Sequence, residues 1–331
     1  MKRLILGITL LCTALAGCKK TSPMEGNSTI TFRLEYDSLT TRTGSEAKID
    51  EIEDLNIFLY DTKGKLSFYK YIDNIEEVVE MEIYTDKEYS VYALANTGEI
   101  SDLSSIVDEE LINKLNHKFE KKEFDSGGLK KIPMSGHLPL KRISKGETLT
   151  IPLTRLVSKF RVIIDNSSLS EDVSLFEIKE VAIKNVNSCV GYFRNSRGET
   201  LENIIPSGEV KKGELLSSVT STGVDFLIPE NMQGDLLPSN VDETTHIPPG
   251  ELADLATYLQ ITVGYKSKKH YDNDLIYRYY LHNGRRLDNF DIERNYMYLC
   301  RTSFTGEGLE ENSWRIDKSS LKKYVTAISI F

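Results

Sequence analysis

The chain has 331 residues, 40% hydrophobic and 27% charged, enough to bury two ordinary cores and too mixed in composition for a disordered chain or a polytopic membrane protein. Asp and Glu number 50 against 41 Lys and Arg, for a formal net charge of −9, which argues against nucleic acid as a partner because phosphate binding needs a basic footprint. The local clusters Lys121-Lys122, Lys130-Lys131 and Lys266 to Lys269 read as solvated loop faces.

Lys2 and Arg3 form a positive start, and residues 4–16 are an apolar run too short to span a bilayer comfortably but right for a signal-peptide core. The run closes on Leu15-Ala16-Gly17-Cys18, a lipobox pattern that assigns residues 1–17 to a signal peptide and the Cys18 thiol to a diacylglycerol. Acyl chains on Cys18 would tether the mature chain to a membrane surface. Of the four cysteines, Cys12 leaves with the signal, and Cys189 and Cys300 are read as free thiols, with a bridge between them left open.

Residues 18–27 are polar with Pro23 and Gly26, a short tether. Residues 28–38 then alternate, with Ile30, Phe32, Leu34 and Tyr36 on one face and Thr29, Thr31, Arg33 and Glu35 on the other; this is a strand with one buried face. It is expected at a detachable edge of its sheet. A polar loop follows, with Arg42 amid Thr, Gly and Ser and an acidic run to Asp54, the kind of exposed segment that proteases cut. Residues 55–60 and 66–72 form a hairpin across Asp61-Thr62-Lys63-Gly64, and residues 78–84 and 89–95 form another across Thr85-Asp86-Lys87. Apolar residues at Leu103, Ile106, Leu111, Leu115 and Phe119, after Ser101 as N-cap, predict one amphipathic helix over 103–119 covering a sheet end.

Near the middle of the chain two alternating runs meet. Leu149, Ile151 and Leu153 alternate with polar residues up to Arg155, and Phe160, Val162 and Ile164 resume the pattern almost at once. The last strand of one β domain, residues 28–156, is thus read as passing directly into the first strand of another, residues 157–331. Further strands are expected at 158–165, 175–185, 190–193, 223–228, 258–265, 275–281 and 295–304. Residues 230–253, broken by Pro238, Pro248, Pro249, Gly234 and Gly250, read as a long surface loop. Residues 324–331 are an apolar β-type segment that should have a partner sheet, in its own chain or another.

The chemistry-bearing residues form no recognisable site. The five histidines are scattered, with no HExxH or CxxC spacing, so no metal or other cofactor is expected. GxSxG, GxxxxGK and GxGxxG are absent. Tyr277, Tyr279 and Tyr280 form a possible sugar platform, but strand tyrosines more often pack core and rim.

Seven pieces of the chain, taken in order, resemble one family: the lipobox at Cys18, then residues 55–66 (LNIFLYDTKGKL), 89–98 (YSVYALANTG), 132–136 (IPMSG), 153–160 (LTRLVSKF), 228–234 (IPENMQG), and 291–295 (DIERN) with Tyr298. They are similar to fimbrillin-like lipoproteins of the type V pilus class. The resemblance implies an all-β chain of two tandem transthyretin-like β-sandwich domains with one minor helix and no catalytic site. It also implies cleavage after Arg42, which would remove the first strand, and filling of the vacated groove by a C-terminal segment of the next subunit. Val325, Ile328 and Ile330 are the candidate pocket residues of that donor. The function implied is that of a stalk or tip subunit of a cell-surface fimbrium that supports adhesion, anchored in the outer membrane when lipidated, with other pilus subunits as partners and a host or bacterial surface ligand beyond them. Its alternatives are a fimbrial anchor that keeps its first strand, or a lone surface lipoprotein binding glycan or protein through residues 196–222 and 230–253.

Overall fold

A computed structural model describes residues 27–36, 52–73, 75, 78–120, 129, 131–193, 204–205, 223–235, 256–269, 273–283, 289–308 and 314–320. The first strands are β1 (Asn27–Glu35), β2 (Leu55–Tyr60), β3 (Leu66–Ile72), β4 (Val78–Tyr84) and β5 (Lys87–Ala95). A 3-10 turn (Leu103–Ile106), the short helix α1 (Glu109–Ile112) and β6 (Asn116–Lys118) follow, before β7 (Met134–Ile143) and β8 (Thr148–Arg155). The chain continues with β9 (Val157–Leu169), β10 (Val173–Lys184), β11 (Val186–Asn187), β12 (Cys189–Gly191), β13 (Ile204–Ile205) and β14 (Val224–Pro229). It then forms β15 (Tyr258–Ser267), β16 (Asn273–Tyr280), β17 (Tyr296–Gly306) and β18 (Trp314–Ser320). The protein is all-β, as its alternating pattern requires.

Seven strands join in the order β3-β2-β5-β7-β8-β1-β4. β2 is buried at every position, which explains its continuous apolar run: it lies between β3 and β5 with both faces covered. β8 divides its pairing. Its last residues, Leu153 to Arg155, face Gly136 to Met134 of β7, and Thr148 to Pro152 run parallel to β1. The handover needs a close approach. A Cβ on Gly136 would sit 2.6 Å from the Pro152 carbonyl oxygen, so only glycine fits. Ile151 and Leu149 of β8 join Ile30, Phe32, Ile57, Leu59, Val91 and Ile83 in one large buried cluster.

Two larger sheets follow β8, β10-β15-β16 and β14-β9-β17-β18, and the pairs β11-β13 and β12-β6 form two-stranded sheets. A second large cluster holds Phe160, Val162, Ile178, Ile261, Val263, Tyr298 and Phe304, with a small third one at Ala256, Tyr280 and Phe290. Between the two large clusters the chain is continuous strand apart from Leu156, which is itself buried in the first.

Three expectations are corrected. Residues 78–84 and 89–95 are consecutive strands but form no hairpin with each other: β4 pairs with β1 at the far side of the sheet, and β5 lies between β2 and β7. The helix over 103–119 is instead a 3-10 turn, one helical turn and a strand. Asp102 caps the first turn by accepting from the Ser104 amide. The chain is then drawn onto the β2–β3 turn, where the Leu66 amide donates to the Val107 carbonyl and the Glu109 amide to the Gly64 carbonyl. Backbone groups committed to the hairpin cannot serve an i to i+4 ladder. The last correction concerns β1, which is no sheet edge: β8 lies on one side of it and β4 on the other. Alternation reports which face of a strand is buried and is silent about its neighbours.

Candidate functional site

β1 fills a slot. It pairs antiparallel with β4 over seven positions, from Asn27 opposite Tyr84 to Arg33 opposite Val78, and parallel with β8 from Thr31 opposite Thr148 to Glu35 opposite Pro152. The Thr31 amide also donates to the Glu147 carbonyl at 3.1 Å. Ile30 and Phe32 are 0% exposed and Leu34 packs partly buried beside them, while Thr29 and Arg33 face solvent. Without β1, two rows of backbone N–H and C=O groups and two apolar holes would lie open between β4 and β8. Burial of Ile30 and Phe32 alone is worth about 1.5–3 kcal/mol each. β4 has core contacts of its own through Val79, Met81 and Ile83.

The residues expected to operate this slot, Cys18, Arg42, Val325, Ile328 and Ile330, all lie outside the described residues. So do residues 196–203, 206–222 and 236–253 of the loops considered for ligand binding.

A second constellation sits where β8 passes into β9. Arg155, 1% exposed, donates from Nη1 to Asn295 Oδ1 at 3.0 Å, and the Asn295 amide donates to the Val157 carbonyl at 2.8 Å. Asn295 holds φ +60, a left-handed conformation that asparagine tolerates better than most residues. Beside it Arg294 forms a two-point ion pair with Glu230, Nε to Oε1 at 2.9 Å and Nη2 to Oε2 at 2.6 Å. The same guanidinium donates to the Tyr192 carbonyl at 2.9 Å and the Gly191 carbonyl at 2.6 Å. Both charged groups are nearly closed off from water, with side-chain exposures of 11% and 1%. Tyr192 belongs to the first large cluster, and its carbonyl also accepts from the Ser135 hydroxyl. Arg294 thus ties the segment ahead of β17 to residues buried against the first core. The Glu230 amide donates to the Leu156 carbonyl, and Asn231 and Ile292 exchange backbone bonds at 2.9 and 2.8 Å. Tyr298 stacks on Phe160 at 4.4 Å and accepts from the Glu293 amide; burial pushes its phenol far above the ordinary range.

Three of the motif segments, 153–160, 228–234 and 291–298, therefore meet at this one place. Composition and spacing alone do not reveal it, since Glu230 and Arg294 are 64 residues apart.

The remaining candidates are packing groups. His117 contacts Phe119 and Tyr192, and burial pushes its imidazole down to about 4, so it is neutral at pH 7. His137 stacks on Tyr92 at 4.3 Å. Tyr277 donates to the Gly308 carbonyl and packs on Phe304 at 4.8 Å, and Tyr280 is 9% exposed; neither offers an open sugar platform. Cys189 and Cys300 are free thiols. Among the described residues no group of three His, Cys, Asp or Glu side chains is placed to hold a metal ion, and no helix is long and apolar enough to cross a membrane.

Comparison with solved structures finds the same fold. A fimbrilin (FimA) from Porphyromonas gingivalis is 13% identical, with a TM-score of 0.59 over 89% of this chain and 97% of that one. The tip fimbrial protein Mfa3 of the same organism, C-terminally truncated, is 13% identical, with a TM-score of 0.58 over 88% of this chain and 98% of its own. No curated protein sequence matches. The profile of one protein family matches residues 16–316. That match runs over nearly the whole length: the chain belongs to the family of fimbrillin-A associated anchor proteins Mfa1 and Mfa2.

Proposed function

We propose that the chain is a structural, non-catalytic subunit of the stalk or tip of a cell-surface fimbrium that supports adhesion, joined to its neighbours by donor-strand exchange at the β1 slot. The observation that carries the reading is the position of β1. It is the first strand of the sheet, so one cut in the chain between β1 and β2 releases it without severing any other strand, and its place is bordered by β4 and β8. The tip and fimbrilin proteins that share the fold are consistent with it. In this reading Cys18 carries the lipid for export to the outer membrane, and trypsin-type cleavage follows Arg42. Residues 28–156 and 157–331 are two transthyretin-like domains, and Val325, Ile328 and Ile330 of a neighbour enter the slot. A strand accepted between two borders gains two ladders of backbone bonds rather than one, which makes the joint slow to open.

The same position favours a second reading. A strand hydrogen-bonded along both sides is hard to lose, and a subunit that keeps β1 is an anchor, closed to incoming strands; the family description names anchor proteins. Native trypsin digestion separates the two. Cleavage after Arg42 followed by ladders that persist on a denaturing gel is the result expected for a stalk or tip subunit. A cut chain that stays monomeric and keeps β1 bound is the result expected for an anchor.

A further inference from the structure

The ladder around β1 has a polarity suited to tension. β1 runs the same way as β8, so Asn27 lies where β8 begins, and Arg155 lies beyond the far end of the paired residues. A pull on the chain ahead of Asn27 and an opposed pull on the chain beyond Arg155 therefore act along the two strands in opposite directions. Backbone bonds in a ladder lie across the strands. A load along the strands strains all of them together, whereas a load across the sheet opens them one at a time. The antiparallel ladder to β4 adds seven more register positions to the shear, and the buried Ile30 and Phe32 key β1 into the core.

The four-stranded sheet is arranged the other way. β17 is parallel to β9 with Met297 opposite Lys159, and antiparallel to β18 with Tyr296 opposite Ser320. The start of β9 and the end of β18 thus lie at one end of that sheet, on either side of β17. A load between them runs across the strands and peels β18.

We infer that, in the chain before any loss of its first strand, β1 bears force, loaded in shear by tension along the chain, so that residues 27–155 resist unfolding under pull through this ladder. The inference rests on strand polarity and holds for a chain that keeps β1. It needs no cleavage and no polymer.

Single-molecule pulling on the mature chain tests it, with one handle at Phe331 and the other at Lys19, ahead of β1. In a second geometry the handle is moved to the far end of β1 through Tyr36→Cys, in a Cys189→Ser background; Tyr36 is 38% exposed. From Tyr36 the pull starts at the end where Glu35 faces Pro152, near Arg155, and peels the strand. Unfolding of residues 27–155, recognised by the length of chain released, is expected at a force at least about twofold higher from Lys19 than from Tyr36. Pulling the Tyr36→Cys variant from Lys19 supplies the reference, so a folding defect cannot imitate the difference. Equal forces in the two geometries would overturn the inference and leave the proposed function untouched.

Discussion

At the scale of single residues the decisive contrast is between apolar groups that fill space and the few charged groups buried among them. Glu230 and Arg294 gain little from each other relative to well-packed apolar residues, because both give up water, but removing one takes away the other's buried counter-ion. Arg294→Ala is expected to destabilise the protein by about 3–5 kcal/mol, since Glu230 loses its partner and the Gly191 and Tyr192 carbonyls lose a donor. Replacing both members, Glu230→Met with Arg294→Met, should cost less than the single change. Urea titration of the three proteins checks the order. His117 gives a pH signature. Its folded value near 4 lies below the ordinary value of 6.5, so between them the unfolded chain binds the extra proton. Stability is therefore full above about pH 6.5, falls as the pH drops toward 4, and loses up to about 3 kcal/mol from this group. His117→Phe should flatten that part of the curve, measured as urea midpoint against pH.

At the scale of elements, what could be read from the sequence was which face of an alternating strand is wet. Thr148, Thr150 and Pro152 are exposed while Leu149, Ile151 and Leu153 are buried, in the order their chemistry dictates. Neighbours were not legible, because the same alternation serves an edge and an interior strand, and β1 proved to be interior. The helix over 103–119 failed for a local reason: the apolar spacing was helical, but the chain is tied to the β2–β3 turn at Val107 and Glu109. Close approach of β7 and β8 was invisible for want of a distance. Gly136→Ala should force the strands apart at the Pro152 carbonyl and destabilise by about 1–3 kcal/mol, read as a lowered melting temperature. The β1 slot makes its own forecast. A chain beginning at Thr43 should melt well below the intact one, and a peptide of residues 27–36 added back should restore most of the loss. A truncated chain as stable as the intact one would mean that β1 contributes nothing to the sheet.

On the scale of the whole molecule, the all-β class and the family were legible because strand periodicity and short motifs survive in order along the chain. The junction was not, since an ion pair between Glu230 and Arg294 exists only after folding has brought together segments far apart in sequence. Its position gives the motif segments a common purpose: residues 153–160, 228–234 and 291–298 fix how the sheets after Arg155 meet the core before it. A filament subunit must transmit tension from one neighbour to the next through such a connection, and covalent continuity of β8 and β9 backed by buried polar bonds is suited to that. Under the proposed function the β1 place is vacated and refilled during assembly. The intact mass of the chain recovered from cell-surface filaments tests it most directly. A subunit that starts at Thr43, with residues 27–35 gone from every filament, is the result this account predicts; filaments built of chains that still carry β1 would contradict it.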